Sequence, residues 1–166
     1  PTSPDNGRVT ARTLVLIRHA KSDWSNDLPD DERPLAPRGR RQAPAIGPWL
    51  VEHDLVPDLA VVSVARRAQE TWEAVASGLG REVVARDEPA AYTFGGGALR
   101  RIARALDPGL GVVAVVGHNP AMEEVVEDLT GRWVAMPTAA IAVLDLPGGW
   151  GSESAQLRYA GRPADL

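Results

Sequence analysis

"TLVLIRHA", residues 13–20, decides how this chain is read. Thr13–Ile17 is a short, nearly continuous apolar run, of the kind that forms a strand buried on both faces of a parallel sheet. Arg18 and His19 follow with no turn signal, so two polar groups stand where that strand opens out. The chain has three histidines in 166 residues. Placing one beside an arginine at a strand end, before the polar run Lys21-Ser22-Asp23, is a chemical choice that the rest of the sequence must explain.

Working outward, the same pattern recurs. "LAVVSV" (59–64) reads as a strand that leads into Arg66-Arg67 at a helix start. "GVVAVVG" (111–117) reads as a strand that ends in His118-Asn119-Pro120. Helical spacing appears between these runs. Ala43, Ile46, Trp49 and Leu50 recur from Arg38 to His53, with a kink or break predicted at Pro44 or Pro48. Ala68, Trp72, Val75 and Leu79 share one face before Gly80, and Leu99, Ile102 and Leu106 share another. "NPAMEEVVEDLTG" reads as a helix with Asn119 as its cap, Pro120 in its first position and Gly131 at its end. "EVVAR" (82–86), "AIAVLDL" and "AQLRY" complete the strands. The alternation predicts an α/β fold: a three-layer α/β/α sandwich with a mostly parallel central sheet. Residues 1–12 read as a polar tail and 13–166 as one domain, a usual length for a single core.

Composition removes several function classes. Hydrophobic residues are 44% and charged residues 24%, and the net charge is −4. That balance argues against a nucleic-acid footprint, which needs clustered positive charge. No apolar run approaches the ~20 residues of a membrane span, and "PTSPDNGRVTAR" lacks a signal-peptide core. With no cysteine there is no disulfide framework or thiol nucleophile. The expectation is a soluble cytoplasmic protein that binds neither nucleic acid nor membrane.

In open α/β sheets, ligands bind beyond the carboxyl ends of the strands. Parallel neighbours would bring Arg18, His19, Arg66 or Arg67, and His118 to one rim. Such a rim suits a dianion, above all phosphate or another oxyanion. Ser22 and Asn119 are further candidates for binding substrate. Arg-Arg at a helix start opposes the macrodipole, which favours an anion-binding role over plain surface. Other polar features have simpler readings. His53 lies at a helix end, where a cation suits the dipole. Arg38, Arg40 and Arg41 read as a solvated helix start, and "SNDLPDDERPLAPRG" (25–39) as a solvated loop. "GGG" at 95–97 reads as a flexible loop. Arginines beside both histidines would repel a cation, so no metal or other cofactor is expected.

Chemistry follows from the residue types. A neutral imidazole is a good nucleophile toward phosphorus, and the phosphohistidine it forms can be hydrolysed again. Arginine forks match phosphoryl oxygens and offset their charge. They also disfavour a protonated histidine, which keeps His19 neutral. A second histidine can donate to an oxygen that gains charge in the transition state.

Assembled, these residues resemble the histidine phosphatase superfamily, with its phosphoglycerate mutase-like fold. "LVLIRHAKS" is similar to the family's R-H-G motif, with Ala20 in place of Gly. "SVARRAQET" is similar to S-x-x-x-R-A-x-x-T, and "VVGHNP" to the second-histidine motif. The resemblance implies His19 as nucleophile, with Arg18, Arg67 (not Arg66) and His118 completing the phosphate pocket. "RHAKSDWS", "RPLAPRGRRQA" and "MPTAAIAVLDL" resemble the SixA-type phosphohistidine phosphatases, which implies a phosphohistidine-carrying protein as partner. Trp24 either walls the pocket or anchors its loop. Many superfamily members carry a glutamate acid after the third strand. Here Asp87 and Glu88 are the local carboxylates, read as a solvated strand end, with Glu88 the candidate proton donor. Phosphohistidine needs no such acid, because imidazole leaves more readily than an alkoxide. The alternatives are a metabolite or nucleotide phosphomonoesterase on the same machinery and a non-catalytic phosphate-binding module.

Overall fold

In the computed structural model, which describes residues 11–166, the opening stretch is β1 (Arg12–Arg18), and its side chains alternate between two cores. Leu14 and Leu16 join one hydrophobic cluster, Val15 and Ile17 the other. This is the period-two geometry of a strand covered on both faces. Most of the polar tail read over residues 1–12 lies outside the described residues, and β1 begins one residue earlier than the apolar run, at Arg12.

β2 (Leu59–Ser63), β3 (Ala85–Glu88), β4 (Val112–Gly117), β5 (Ile141–Leu146) and β6 (Gln156–Gly161) complete a six-stranded sheet of order β3-β2-β4-β1-β5-β6. The first four of that order run parallel, whereas β5 and β6 are antiparallel additions. The sheet is therefore mostly parallel, as predicted. α4 (Gly96–Arg104) and α5 (Ala121–Thr130) supply Leu99, Ile102, Met122 and Val125 to one face. α1 (Pro37–Gln42), α2 (Ile46–Glu52) and α3 (Arg66–Ala76) cover the other, where Ile46, Leu50, Trp72 and Val75 are buried.

Several local readings shift. The break predicted in the first helical region falls at Pro44, inside a 3-10 turn at Ala43–Ala45, while Pro48 is accommodated in the first turn of α2. There a missing N–H costs no helical hydrogen bond. β3 lies three residues beyond its expected start. It is an edge strand whose side chains are mostly exposed, so no apolar pattern fixed its register. The glycine stretch is not a loop: Gly95 caps α4, and Gly96 and Gly97 lie within it. A Cβ at Gly96 would stand 3.0 Å from Cβ of Glu124, so the glycine permits the close approach of α4 to α5. Asn119 does not cap α5. Pro120 takes that position, and the Asn119 side chain donates to the Met136 carbonyl at 2.7 Å instead.

Candidate active site

Because β2, β4 and β1 are adjacent and parallel, their carboxyl ends open on one rim. A cleft of about 280 Å³ lies there, and Arg18, His19, Ser22, Arg67, His118 and Asn119 all line it. The structure thus brings together every residue read from the strand ends except Arg66, which points to solvent and pairs with Glu70 at 3.1 Å.

His19 is the most constrained member. Its N–H bonds the Gly117 carbonyl at 3.0 Å, and its carbonyl accepts from Ala139 N–H at 3.1 Å, so β1 stays paired through it. Its Nδ1 lies 2.8 Å from the carbonyl of Ala20. A carbonyl can only accept, so Nδ1 carries the proton and Nε2 keeps a free lone pair. Burial pushes the His19 pKa down to about 4. The Ala20 bond opposes the shift, and Arg67, Arg18 and Arg33 add to it. The ring is therefore neutral near pH 7.

His118 is held just as firmly. Arg67 Nη2 approaches its Nδ1 at 3.4 Å, and Ser63 Oγ lies 2.7 Å from its Nε2. A guanidinium has only donors, so Nδ1 accepts and Nε2–H donates to Ser63. Burial lowers its pKa to about 3, with His19 and Arg67 contributing. The two imidazoles have centroids 5.3 Å apart. The S-x-x-x-R-A-x-x-T segment now has a physical meaning. Ser63 orients His118, Arg67 enters the cleft and Ala68 packs in the core. Thr71, fully buried, accepts from Ala20 N–H at 3.0 Å and donates to the Arg67 carbonyl at 2.7 Å.

The Met136 carbonyl is a second hub. It accepts from Arg18 Nη1 at 3.0 Å and from Asn119 Nδ2 at 2.7 Å, while Met136 N–H donates to Glu123 at 2.9 Å. Asn119 therefore spends an N–H on the protein. Its Oδ1 is buried without a partner.

Sequence reasoning missed residues that arrive from loops. The acidic segment read as solvated delivers Asp30 and Arg33 to the cleft. Arg33 is buried and donates to Asp30 at 2.5 Å. Arg67 donates to the Asp30 carbonyl at 2.6 Å and to its carboxylate at 3.0 Å, and the Tyr92 hydroxyl donates to the same carboxylate. Burial raises the Asp30 pKa, but Tyr92, Arg67 and Arg33 outweigh it and hold the carboxyl below the usual range. One signal was present: Arg33 sits in "RPLAPRGRRQA", a stretch already singled out. Phe94 was missed as well, and Trp24 does wall the cleft. Glu88 is not among the lining residues. Its carboxylate accepts from Ala90 N–H at 3.4 Å and lies 3.7 Å from Arg86. That makes it a turn cap at the end of β3, and the structure does not bring this candidate acid to the site. His53 is structural as read, stacked on Trp49 at 3.9 Å.

Comparison with known proteins bears on this geometry. Residues 14–95 match the model of the histidine phosphatase superfamily (branch 1). An uncharacterized Mycobacterium tuberculosis protein, Rv1276c, is 32% identical over 145 residues, spanning 81% of this chain and 89% of the relative. A proposed phosphohistidine phosphatase SixA from Nakamurella multipartitia superposes with a TM-score of 0.78 at 30% identity, over 92% of this chain and 96% of that one. A second, from Agrobacterium tumefaciens, gives 0.79 at 25% identity, over 90% and 96%.

Proposed function

The chain belongs to the histidine phosphatase superfamily, in its SixA-like branch, and on that premise we propose that this phosphatase removes phosphoryl groups from phosphohistidine on a partner protein in the cytoplasm. His19 is the nucleophile. Its Nε2 lone pair forms a bond to phosphorus as the bond from phosphorus to the substrate nitrogen breaks. The departing electron pair stays on the substrate imidazole, which leaves neutral when its distal nitrogen carries a proton. Water then attacks phosphorus as the bond from Nε2 breaks; the electron pair returns to His19, and inorganic phosphate leaves carrying both hydrogens of the water. Arg18, Arg33 and Arg67 hold the phosphoryl oxygens, and their fixed charges supply the electrostatic stabilisation that metal ions give in other phosphoryl-transfer sites. As the incoming dianion offsets the arginine charge, His118 takes a proton from solvent at Nδ1, and that N–H donates to an equatorial oxygen in place of accepting from Arg67. Ser22 lines the same cleft as part of the substrate-binding wall.

The observation that carries this reading is the state of the carboxylates. Asp30 is the one carboxylate among the described residues lining the cleft, and it is held ionised. An ionised carboxylate cannot protonate a leaving alkoxide. The site therefore favours a leaving group that departs without help, and imidazole does. General acid catalysis is typically worth about 10²–10⁴-fold, so discrimination of that order is expected between phosphohistidine and alkyl phosphates. The test is kcat/KM across leaving groups of graded pKa. A steep dependence, with sugar phosphates and phosphoglycerates poor, supports the reading. A nearly flat dependence, with efficient metabolite turnover, would replace it with the small-molecule phosphatase.

A further inference from the structure

The floor of the cleft is polar, but its mouth carries two aromatic rings that phosphoryl transfer leaves unused. Trp24 and Phe94 both line the cleft and are 69% and 53% exposed. Each ring has a neighbour in the site. The Arg33 guanidinium carbon lies 3.3 Å from the Trp24 ring centroid, and Arg33 is itself buried and tied to Asp30. One face of the indole is thus fixed on a cation. Phe94 stands 6.0 Å from the ring centroids of both His118 and Tyr92.

In-line displacement puts the leaving group opposite the nucleophile. With His19 at the floor, the leaving group points toward the mouth, where these rings stand. We propose that Trp24 and Phe94 are specificity residues that stack on a flat aromatic or heteroaromatic leaving group, the imidazole of phosphohistidine. The proposal rests on the phosphohistidine reading above and assigns affinity for the planar donor to the rim. A polyhydroxylated leaving group would place its hydroxyls against hydrocarbon rings and lose hydrogen bonds to water.

The test separates the rim from the chemistry by using ligands that are not turned over. Phenylphosphonate and methylphosphonate share a charged head and differ by a ring. Calorimetry on the full chain should show phenylphosphonate binding roughly tenfold or more tightly, the order expected for one aromatic stack. Phe94→Ala and Trp24→Ala should each erase most of that preference, Trp24→Phe should restore part of it, and inorganic phosphate should bind Phe94→Ala as it binds the wild type. No preference for the phenyl ligand in the wild type would overturn the proposal. So would an equal loss of phenylphosphonate, methylphosphonate and phosphate binding in Phe94→Ala, a substitution that leaves the Arg33 stack untouched. Turnover of N-phosphoimidazole, measured separately, reports on the phosphohistidine reading: its absence alongside a strong phenyl preference would overturn that reading and retain an aromatic-selective rim.

Discussion

His19 and His118 are buried beside arginines, and this makes the site's charge state a property of the fold. Their pKa values fall from 6.5 to about 4 and about 3. Between pH 6.5 and about 4 the unfolded chain therefore binds protons that the folded chain does not. Stability is fully present above pH 6.5 and declines as pH falls, by up to about 1.4 kcal/mol per pH unit for each histidine. Urea unfolding at stepped pH should show this slope for the wild type and a shallower one for His118→Asn; equal slopes would contradict the assignment. The two adjacent arginines separate as sharply. Arg67 is buried with both terminal nitrogens bonded, whereas Arg66 is half-exposed in a helix-surface pair. Arg67→Ala should cost about 10²–10³-fold in kcat/KM, the usual loss for one transition-state donor. Arg66→Ala should change stability by less than about 1 kcal/mol and leave activity nearly intact. Equal activity losses would mean that Arg67 does not hold the phosphoryl group.

Elements hold the site through a few contacts between backbones. α1 presses on the segment that follows His19, where a Cβ at Gly39 would stand 2.2 Å from the Lys21 carbonyl oxygen. Neither backbone can yield without moving the other. Gly39→Ala should therefore destabilise the protein by about 1–3 kcal/mol through overpacking, and lower kcat as the His19 segment shifts. A variant with wild-type melting temperature and kcat would show that α1 does not set that segment. This level also explains what the sequence revealed. Arg18, His19, Arg67 and His118 were legible because each follows an apolar run or opens a helix, so local pattern places it. Asp30, Tyr92 and Phe94 were not, because their loops reach the site only through packing, and Arg33 was marked only by the resemblance of its stretch. Leu35, buried at 2% exposure, anchors the first loop by bridging to Ser22, two steps removed from any local signal. The displaced β3 has the same cause: an exposed edge strand lacks the apolar periodicity that identified β1, β2 and β4.

At the scale of the molecule, two cores clamp a sheet whose parallel half ends at one cleft, and the chemistry concentrates where β1, β2 and β4 stop. The central claim is that this architecture presents His19 as a nucleophile that becomes covalently phosphorylated in each turnover. The direct measurement is to mix the protein briefly with a phosphohistidine peptide, quench in alkali and locate the phosphoryl group by mass spectrometry. The account predicts an acid-labile adduct on His19 that accumulates before product release and is absent from His19→Ala. An adduct of the same amount in His19→Ala, or one located on His118, would contradict it.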